Sequence, residues 1–241
     1  MQPAELGSIS GALAVVTGGS RGIGVAIASR LATMDATVVI TGRDETRIQQ
    51  TARDLSARGH RVQGIACDVT SLASVEAFGK RLRSDYGHVD ILVNNAGVAG
   101  PPGVLHELAP KDWDAIFDTN LRGVYYMLRA IVPLMGAGGH IINVSSLAGK
   151  NALPRGAAYS ASKWGLNGLT YGVAEELREH SIRVSLICPG SVDTDFSPRR
   201  VGKDTSRMLQ PDDVAHAVAT LVTQQPQSFI SELLLRPTQK P

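Results

Sequence analysis

The sequence predicts an α/β protein, a single doubly wound domain of residues 1–241 in which helices flank a seven-stranded parallel sheet. Seven short runs are apolar throughout, as expected of strands covered on both faces: 12–17, 37–41, 61–66, 90–93, 140–145, 182–188 and 232–235. Between them, apolar residues recur at every third or fourth position, as at Ile23, Ile27 and Leu31, which indicates helices. No repeat or linker divides the chain, and its 43% hydrophobic content suffices for one sizeable core.

Composition and charge argue against several classes of protein. The 24 Lys and Arg residues against 22 Asp and Glu give a net charge of +2, which predicts no nucleic-acid-binding surface. No run approaches the ~18 apolar residues of a membrane span, and the start of the chain lacks signal-peptide features. Cys67 and Cys188 provide no disulfide framework, and the six histidines never pair at metal-ligand spacing. We therefore expect a cytoplasmic protein with no membrane, nucleic-acid or metal partner.

A glycine-rich motif, TGGSRGIG, occupies residues 17–24 between the first predicted strand and the first predicted helix. Glycines at positions 18, 22 and 24 allow a tight turn and let backbone N–H groups approach a pyrophosphate at the helix N-terminus. The alternative is a glycine-rich turn that binds nothing, because such a pattern alone is weak evidence. The position between strand and helix favours nucleotide binding.

The end of the second predicted strand indicates which nucleotide binds. An NAD site needs a carboxylate near this strand end for the adenosine ribose, whereas the 2′-phosphate of NADP needs a cation. Gly42 lies where the acid is expected, Arg43 follows it, and Arg21 in the glycine motif supplies a second cation. We therefore expect NADP(H) to be preferred over NAD(H). In the alternative, Arg43 lies in solvent and Asp44 binds the ribose.

A third group of residues has the composition of a proton-transfer site. Tyr159 and Lys163 are four positions apart, so on a helix both side chains lie on one face. A tyrosine acting near neutral pH needs its pKa lowered from about 10 by about three units, worth ~4 kcal/mol, and a neighbouring ammonium supplies part of that. Ser146 ends the fifth predicted strand, thirteen residues before Tyr159. A Tyr-x-x-x-Lys pattern alone is a frequent accident, but together with the glycine motif and Ser146 it favours catalysis.

Further motifs follow in a consistent order along the chain. Asp68-Val69 follows the third predicted strand, the run 94–97 (NNAG) follows the fourth, Asn120 lies in DTNL, and 189–194 (PGSVDT) follows the sixth. Together these motifs resemble those of the short-chain dehydrogenase/reductase family over nearly the whole chain. The pattern is most similar to members of the 3-oxoacyl-(acyl-carrier-protein) reductase type.

The resemblance implies a Rossmann-like fold and a role for each matching residue. It implies that Tyr159 is the acid/base, that Ser146 orients the carbonyl, that Lys163 binds the nicotinamide ribose and that Asn120 holds a proton-relaying water. It implies adenine contacts from Asp68 and Val69, a ribose contact from Asn94, and carboxamide contacts from Val192 and Thr194. The implied cofactor-binding set is Gly18, Ser20, Arg21, Gly22, Ile23, Gly24, Arg43, Asp68, Val69, Asn94, Ala96, Gly97, Tyr159, Lys163, Pro189, Gly190, Val192 and Thr194.

The implied function is interconversion of a ketone and a secondary alcohol with NADP(H). The nearest substrate class is 3-oxoacyl thioesters, and steroid, sugar and xenobiotic ketones remain open. The alternative is a non-catalytic NADP-binding sensor or scaffold, which would have no need of Asn120, Ser146, Tyr159 and Lys163 together. The cations expected for docking a carrier protein are missing before the fifth and sixth predicted strands, where the chain reads GAGGH and EHS.

Other segments depart from the family pattern or suggest a lid. Asp35 replaces a usual glycine, and residues 230–238 (ISELLLRPT) replace a Val-Asp-Gly-Gly end that often makes tetramer contacts, so a homodimer and a homotetramer both remain open. The Pro- and Gly-containing stretch at about 191–209 is expected to be a substrate lid. Its cations either are solvated or bind an anionic substrate tail: Arg199, Arg200, Lys203 and Arg207.

Overall fold

A computed structural model describes residues 7–196, 205–225 and 227–239. The strands are β1 (Leu13–Thr17), β2 (Thr37–Gly42), β3 (Val62–Ala66), β4 (Ile91–Asn94), β5 (His140–Val144), β6 (Arg183–Pro189) and β7 (Glu232–Leu235). The α-helices are α1 (Gly22–Thr33), α2 (Glu45–Ser56), α3 (Leu72–Asp85), α4 (Pro110–Phe117), α5 (Gly123–Ile131), α6 (Ala157–Arg178) and α7 (Pro211–Val222). The predicted strands are all present, with ends shifted by no more than one residue.

The seven strands form one parallel sheet in the order β3-β2-β1-β4-β5-β6-β7. The chain winds outward in one direction from β1 and then returns to wind in the other from β4. In such sheets the crevice at the carboxyl ends of the strands, where the winding reverses, is the usual ligand site. The prediction of a doubly wound, seven-stranded parallel α/β fold is confirmed.

Two apolar layers cover the sheet, which explains why its strands are apolar throughout. Val16 and Ile40 pack on one face with α1, α2 and α7, whereas Val15 and Val39 pack on the other with α3, α5 and α6. All four strand residues are fully buried. Burial on both faces holds the strands in place, and it fixes the carboxyl ends of β1, β4 and β5 close to one another.

Asp35, the departure from the usual glycine, adopts the left-handed backbone conformation with φ +66° in the turn before β2. Short polar residues tolerate this region better than most. Its carboxylate accepts a hydrogen bond from Ser10 Oγ at 2.6 Å and pairs with Arg61 at 2.7 Å. Those two contacts lower the pKa of Asp35 below its usual value, with the serine bond the larger cause. An aspartate therefore serves here where a glycine is common.

Candidate active site

The glycine-rich turn joins β1 to α1 and passes very close to the backbone after β4. Gly18 has φ +63°, and a Cβ built on it would lie 2.9 Å from Ala96 Cα. A Cβ on Gly24 would overlap the carbonyl oxygen of Gly18. Asn95 holds the turn by donating from Nδ2 to the Thr17 and Gly18 carbonyls, at 3.0 and 3.3 Å. The turn therefore depends on glycine for its shape, as the sequence predicted.

The N-terminus of α1 has the properties of an anion site. The N-cap, Arg21, makes no side-chain cap, and no acidic residue lies in the first turn. Backbone N–H groups and the helix dipole at such an end favour a negative charge. Gly22, at φ +53°, leaves the approach open, because among the described residues a Cβ there would meet only atoms of Thr194. These features fit the pyrophosphate of a dinucleotide, held by residues 18–24.

An open cavity of about 620 Å³ lies beside this turn. Its lining residues are Ser20, Arg21, Asp44, Thr46, Arg47, Gln50, Thr51 and Asp195. Arg21 was expected here, whereas the second arginine of the lining is Arg47 and not Arg43, which lies exposed at the end of β2. Sequence reasoning missed Arg47, although its position in the first turn of the helix after β2 could have indicated it.

Asp44 has a structural contact that bears on the choice between NAD and NADP. Its Oδ1 accepts a hydrogen bond from the Arg47 backbone N–H at 3.0 Å and so caps α2. Gly42 leaves space, since a Cβ there would lie 3.7 Å from Ser20 Oγ. The strand end therefore has no acid at position 42, and the next carboxylate is engaged with the helix.

The proton-transfer residues meet at the carboxyl end of β5. Ser146 follows the strand, and its side chain lies close enough to Tyr159, in the first turn of α6, to lower the pKa of that tyrosine. Ser146 Oγ also accepts from the Ala148 N–H at 3.1 Å, which caps a short 3₁₀ turn. Ser145 points elsewhere and donates to Asn167 Oδ1 at 2.6 Å. The thirteen-residue spacing thus selects the serine that lies beside Tyr159.

Lys163 is 3% exposed, and its Nζ donates to the Val144 carbonyl at 3.0 Å. Burial lowers the pKa of this lysine to about 8. Its Nζ lies 5.9 Å from the centre of the Tyr159 ring. The ammonium therefore lies near the tyrosine, but its hydrogen bond goes to the backbone of β5.

The pKa of Tyr159 corrects one expectation. Burial raises it above the ordinary value, the Ser146 side chain opposes that rise, and the electrostatic influence of Cys188 adds to it. We expected Lys163 to lower this pKa, and the net direction is the opposite. The reason is that a buried phenolate loses hydration, a cost that the ammonium, directed at Val144, does not offset.

Asn120 lies in a π-helical turn, Asp118–Arg122, and is fully buried. Its Oδ1 accepts from the Val98 N–H at 2.8 Å, and its Nδ2 donates to the Val98 carbonyl at 2.9 Å and to Ser162 Oγ at 3.0 Å. Both ends of the amide therefore bind protein, so a water would have to bind the backbone of this residue. A Cβ on Gly97 would lie 3.7 Å from Lys163 Nζ, which places Gly97 at the wall of the site.

Two of the predicted adenosine contacts, Asn94 and Val69, are buried, whereas the third, Asp68, is partly exposed. Asn94 is buried and donates from Nδ2 to Asn143 Oδ1 at 2.8 Å, so its side chain faces the sheet interior and not a ribose. Val69 is buried against α5, where a Cβ on Gly123 would lie 3.0 Å from it. Asp68 Oδ1 accepts from the Thr70 N–H at 3.0 Å. The Asn94 side chain is therefore occupied by Asn143, and the predicted ribose contact would have to come from the Asn94 backbone.

The segment after β6 returns to the glycine-rich turn. Gly190 N–H donates to the Leu235 carbonyl at 2.9 Å, which anchors Pro189 and Gly190 to β7. Val192 pairs with Leu209, so the two ends of the expected lid are joined. The Phe196 ring, which sequence reasoning missed, lies 6.0 Å from that of Tyr159. Arg199, Arg200 and Lys203 lie outside the described residues, and Arg207 lies in a short 3₁₀ turn.

The described residues provide neither a metal centre nor a membrane-spanning helix. No group of three His, Cys, Asp or Glu side chains there could hold a metal ion. Within the same residues, no helix combines the length and the apolar composition needed to cross a membrane.

The family model described as short chain dehydrogenase matches residues 12–204. The chain belongs to the short chain dehydrogenase family. As a member it is an oxidoreductase, and its relatives are named for different substrates. A protein assigned as ketoacyl reductase 1 of the granaticin polyketide synthase of Streptomyces violaceoruber is 40% identical over 197 residues, which are 80% of this chain and 72% of that protein.

Two other family members are similar over most of their length. A 3beta-hydroxysteroid dehydrogenase from Mediterraneibacter gnavus is 36% identical over 206 residues, 85% of this chain and 75% of that protein. A metagenomic short-chain oxidoreductase whose crystal structure is in complex with NADP has 46% sequence identity to this chain. The two structures superpose with a TM-score of 0.83, and the match covers 96% of this chain and 99% of that one.

Proposed function

We propose that this short chain dehydrogenase interconverts a ketone and a secondary alcohol with NADP(H), using Tyr159 as the acid/base. One observation carries the proposal: Ser146, Tyr159 and Lys163 meet beside a glycine-rich turn suited to a dinucleotide. The Ser146 side chain lies beside Tyr159 and lowers its pKa, and the Lys163 ammonium lies 5.9 Å from the tyrosine ring. The relatives named as a ketoacyl reductase and a hydroxysteroid dehydrogenase support the same reaction class.

In the reducing direction the chain's own residues bind the carbonyl and deliver the proton. Bound NADPH supplies the hydride. The Ser146 hydroxyl donates a hydrogen bond to the carbonyl oxygen, and Tyr159 Oη transfers its proton to that oxygen as negative charge develops there. The raised pKa of Tyr159 keeps the phenol protonated at neutral pH, which suits it to act as the acid. Lys163, charged below about pH 8, stabilises the phenolate that remains.

The proposed preference for NADPH rests on the cations around the cavity beside the glycine turn. Arg21 and Arg47 line it, and Arg43 lies exposed nearby. No carboxylate lies at position 42, and Asp44 caps α2. The relative of known structure that was solved with NADP supports this preference.

We further propose that residues 1–241 form one domain with a lid at about 191–209, and that the protein is a cytoplasmic homodimer or homotetramer. Exposed aromatic side chains on α4, α5 and α6 support association, because apolar surface of this kind often marks an interface. They are Trp113, Tyr125, Trp164 and Tyr171. The two free buried cysteines support a reducing compartment.

The test is NADPH oxidation across a panel of ketones: a 3-oxoacyl thioester, a 3-oxosteroid and small neutral ketones. We expect turnover with at least one of them and a secondary alcohol as the product. We expect the thioester to be the best substrate, in line with the 3-oxoacyl resemblance. NADPH binding with no turnover on any of these ketones would contradict the proposal and favour a non-catalytic sensor.

A further inference from the structure

Asn167 continues the face of α6 that carries the proton-transfer residues. It lies four positions after Lys163 and eight after Tyr159, so the three side chains follow one another along a single face of the helix. Asn167 is 4% exposed and lies about one turn further along α6 than Lys163, which is 3% exposed.

Both ends of the Asn167 amide bind the segment that contains Ser146. Oδ1 accepts the hydrogen bond from Ser145 Oγ at 2.6 Å, and Nδ2 donates to the Gly149 carbonyl at 2.8 Å. One contact is therefore made on each side of Ser146. Because a buried amide gains most when both donor and acceptor are used, this arrangement constrains the segment strongly.

The 3₁₀ turn Leu147–Gly149, which Ser146 caps, lies directly on the backbone of α6. A Cβ on Gly149 would lie 2.9 Å from Asn167 Nδ2, 2.9 Å from the Lys163 carbonyl oxygen and 3.0 Å from Ser145 Oγ. The turn has no free space on its helix side. Its outer end is tied more weakly, through the half-exposed ion pair of Lys150 with Glu232 on β7, at 2.8 Å.

We propose that Asn167 is a positioning residue that fixes the Ser146 turn against α6 and so sets the position of the Ser146 hydroxyl relative to Tyr159. Tyr159 and Ser146 come from different elements, a helix and the end of a strand. Contacts between those elements therefore set how the two side chains meet, and Asn167 makes two such contacts next to Ser146. The expected effect of Asn167 on turnover rests on the proposed function. Its expected effect on the pKa of Tyr159 does not.

A double-mutant cycle tests whether Asn167 acts through Ser146. Asn167→Ala should lower kcat for ketone reduction about ten-fold or more, while the Kd for NADPH changes less than about two-fold. In a Ser146→Ala background the same change should lower kcat by less than about three-fold, because the hydroxyl that Asn167 positions is already gone. Thr170→Val is the matched control: Thr170 is buried on the same helix and bonds Asn143, away from the Ser146 turn, so kcat should hold.

A second readout needs no substrate. The pKa of Tyr159 is measured by absorbance titration of tyrosinate, as the difference between each variant and its Tyr159→Phe counterpart. The Ser146 side chain lowers this pKa, so Asn167→Ala should raise it by about half a pH unit or more, and Thr170→Val should leave it unchanged. Asn167→Asp keeps the acceptor for Ser145, loses the donor to Gly149, and replaces the alanine variant if that one does not fold.

Equal losses of kcat in the two backgrounds, or an unchanged pKa of Tyr159, would overturn the proposal. If the parent protein reduces no ketone, the proposed function fails, and the titration alone still decides the role of Asn167.

Discussion

At the scale of single residues, the arginines beside the glycine turn determine the expected cofactor preference. We predict that NADPH binds at least about ten-fold more tightly than NADH, or about 1.4 kcal/mol. Arg43→Ala and Arg47→Ala should each reduce that ratio, chiefly by weakening NADPH, because each removes a cation near the expected 2′-phosphate. Fluorescence titration of both nucleotides measures the ratio. The control is Arg58→Ala, because Arg58 is exposed and lies just past the end of α2. Equal affinities of the parent protein for NADPH and NADH would refute the prediction.

Sequence reasoning selected Ser146, Tyr159 and Lys163 from their spacing together with the glycine motif and the family resemblance. Ser146 was distinguished from Ser145 by its distance to Tyr159, and the structure places Ser146 beside that tyrosine. The direction of the Tyr159 pKa could not be predicted in this way, because burial depends on what packs around the ring. Asn167 was missed for the same reason, since its partners at 145 and 149 become neighbours only in the folded chain.

At the scale of elements, the β1–α1 turn gives a direct test of the cofactor site. Gly24→Ala places a methyl group onto the Gly18 carbonyl, so it should weaken NADPH binding by about ten-fold or more and lower the melting temperature. Ser29→Ala, further along α1, is the control and should change neither quantity appreciably. Titration with NADPH and thermal unfolding measure the two effects. Normal affinity in Gly24→Ala would show that the turn does not hold the nucleotide.

The lid segment is the second element with a testable consequence. Leu209 N–H donates to the Ser191 carbonyl at 2.9 Å and Asp193 N–H to the Leu209 carbonyl at 2.8 Å, so the base is held by backbone bonds. Residues 194–196 reach over Gly22 and Tyr159 with few apolar anchors, and such a segment opens at little cost. Amides there should exchange quickly in the free protein and slow down when NADPH and a ketone bind. Slow exchange that ligands leave unchanged would refute the lid.

The elements themselves were predictable because local pattern and burial agree. Strands covered on both faces are apolar throughout, so their ends are marked sharply, and each predicted strand lies within one residue of the observed one. The lid was harder to define because its composition indicates a loop but not which residues anchor it. The pairing of Val192 with Leu209 joins positions seventeen residues apart and has no local signature.

At the scale of the whole molecule, His140 links folding stability to pH. It is 1% exposed, its Nε2 lies 2.8 Å from Ser185 Oγ, and its Nδ1 has no partner within the described residues. Burial lowers its pKa to about 3. A histidine in the unfolded chain titrates near pH 6.5. Below that pH the unfolded chain binds a proton at position 140 whereas the folded protein does not, so the free energy of unfolding falls.

We therefore predict that His140 alone removes about 2 kcal/mol of unfolding free energy between pH 7.5 and pH 5. Urea unfolding at both pH values, with the parent chain and His140→Gln, measures this contribution. Other titrating groups are common to both proteins, so the difference between them isolates His140. The variant should lose less stability on acidification, and an identical loss in the two proteins would contradict the assignment.

The most direct test of the whole account compares Tyr159→Phe with Tyr125→Phe, which changes an exposed tyrosine on α5. The turnover number for the best ketone and the Kd for NADPH are measured for both variants and for the parent. Tyr159→Phe should lower kcat by about a hundred-fold or more and leave the Kd within about two-fold, because only the proton donor is lost. Tyr125→Phe should keep both values. Full turnover in Tyr159→Phe, or a loss of NADPH affinity equal to the loss of turnover, would contradict the assignment of Tyr159 as the acid/base.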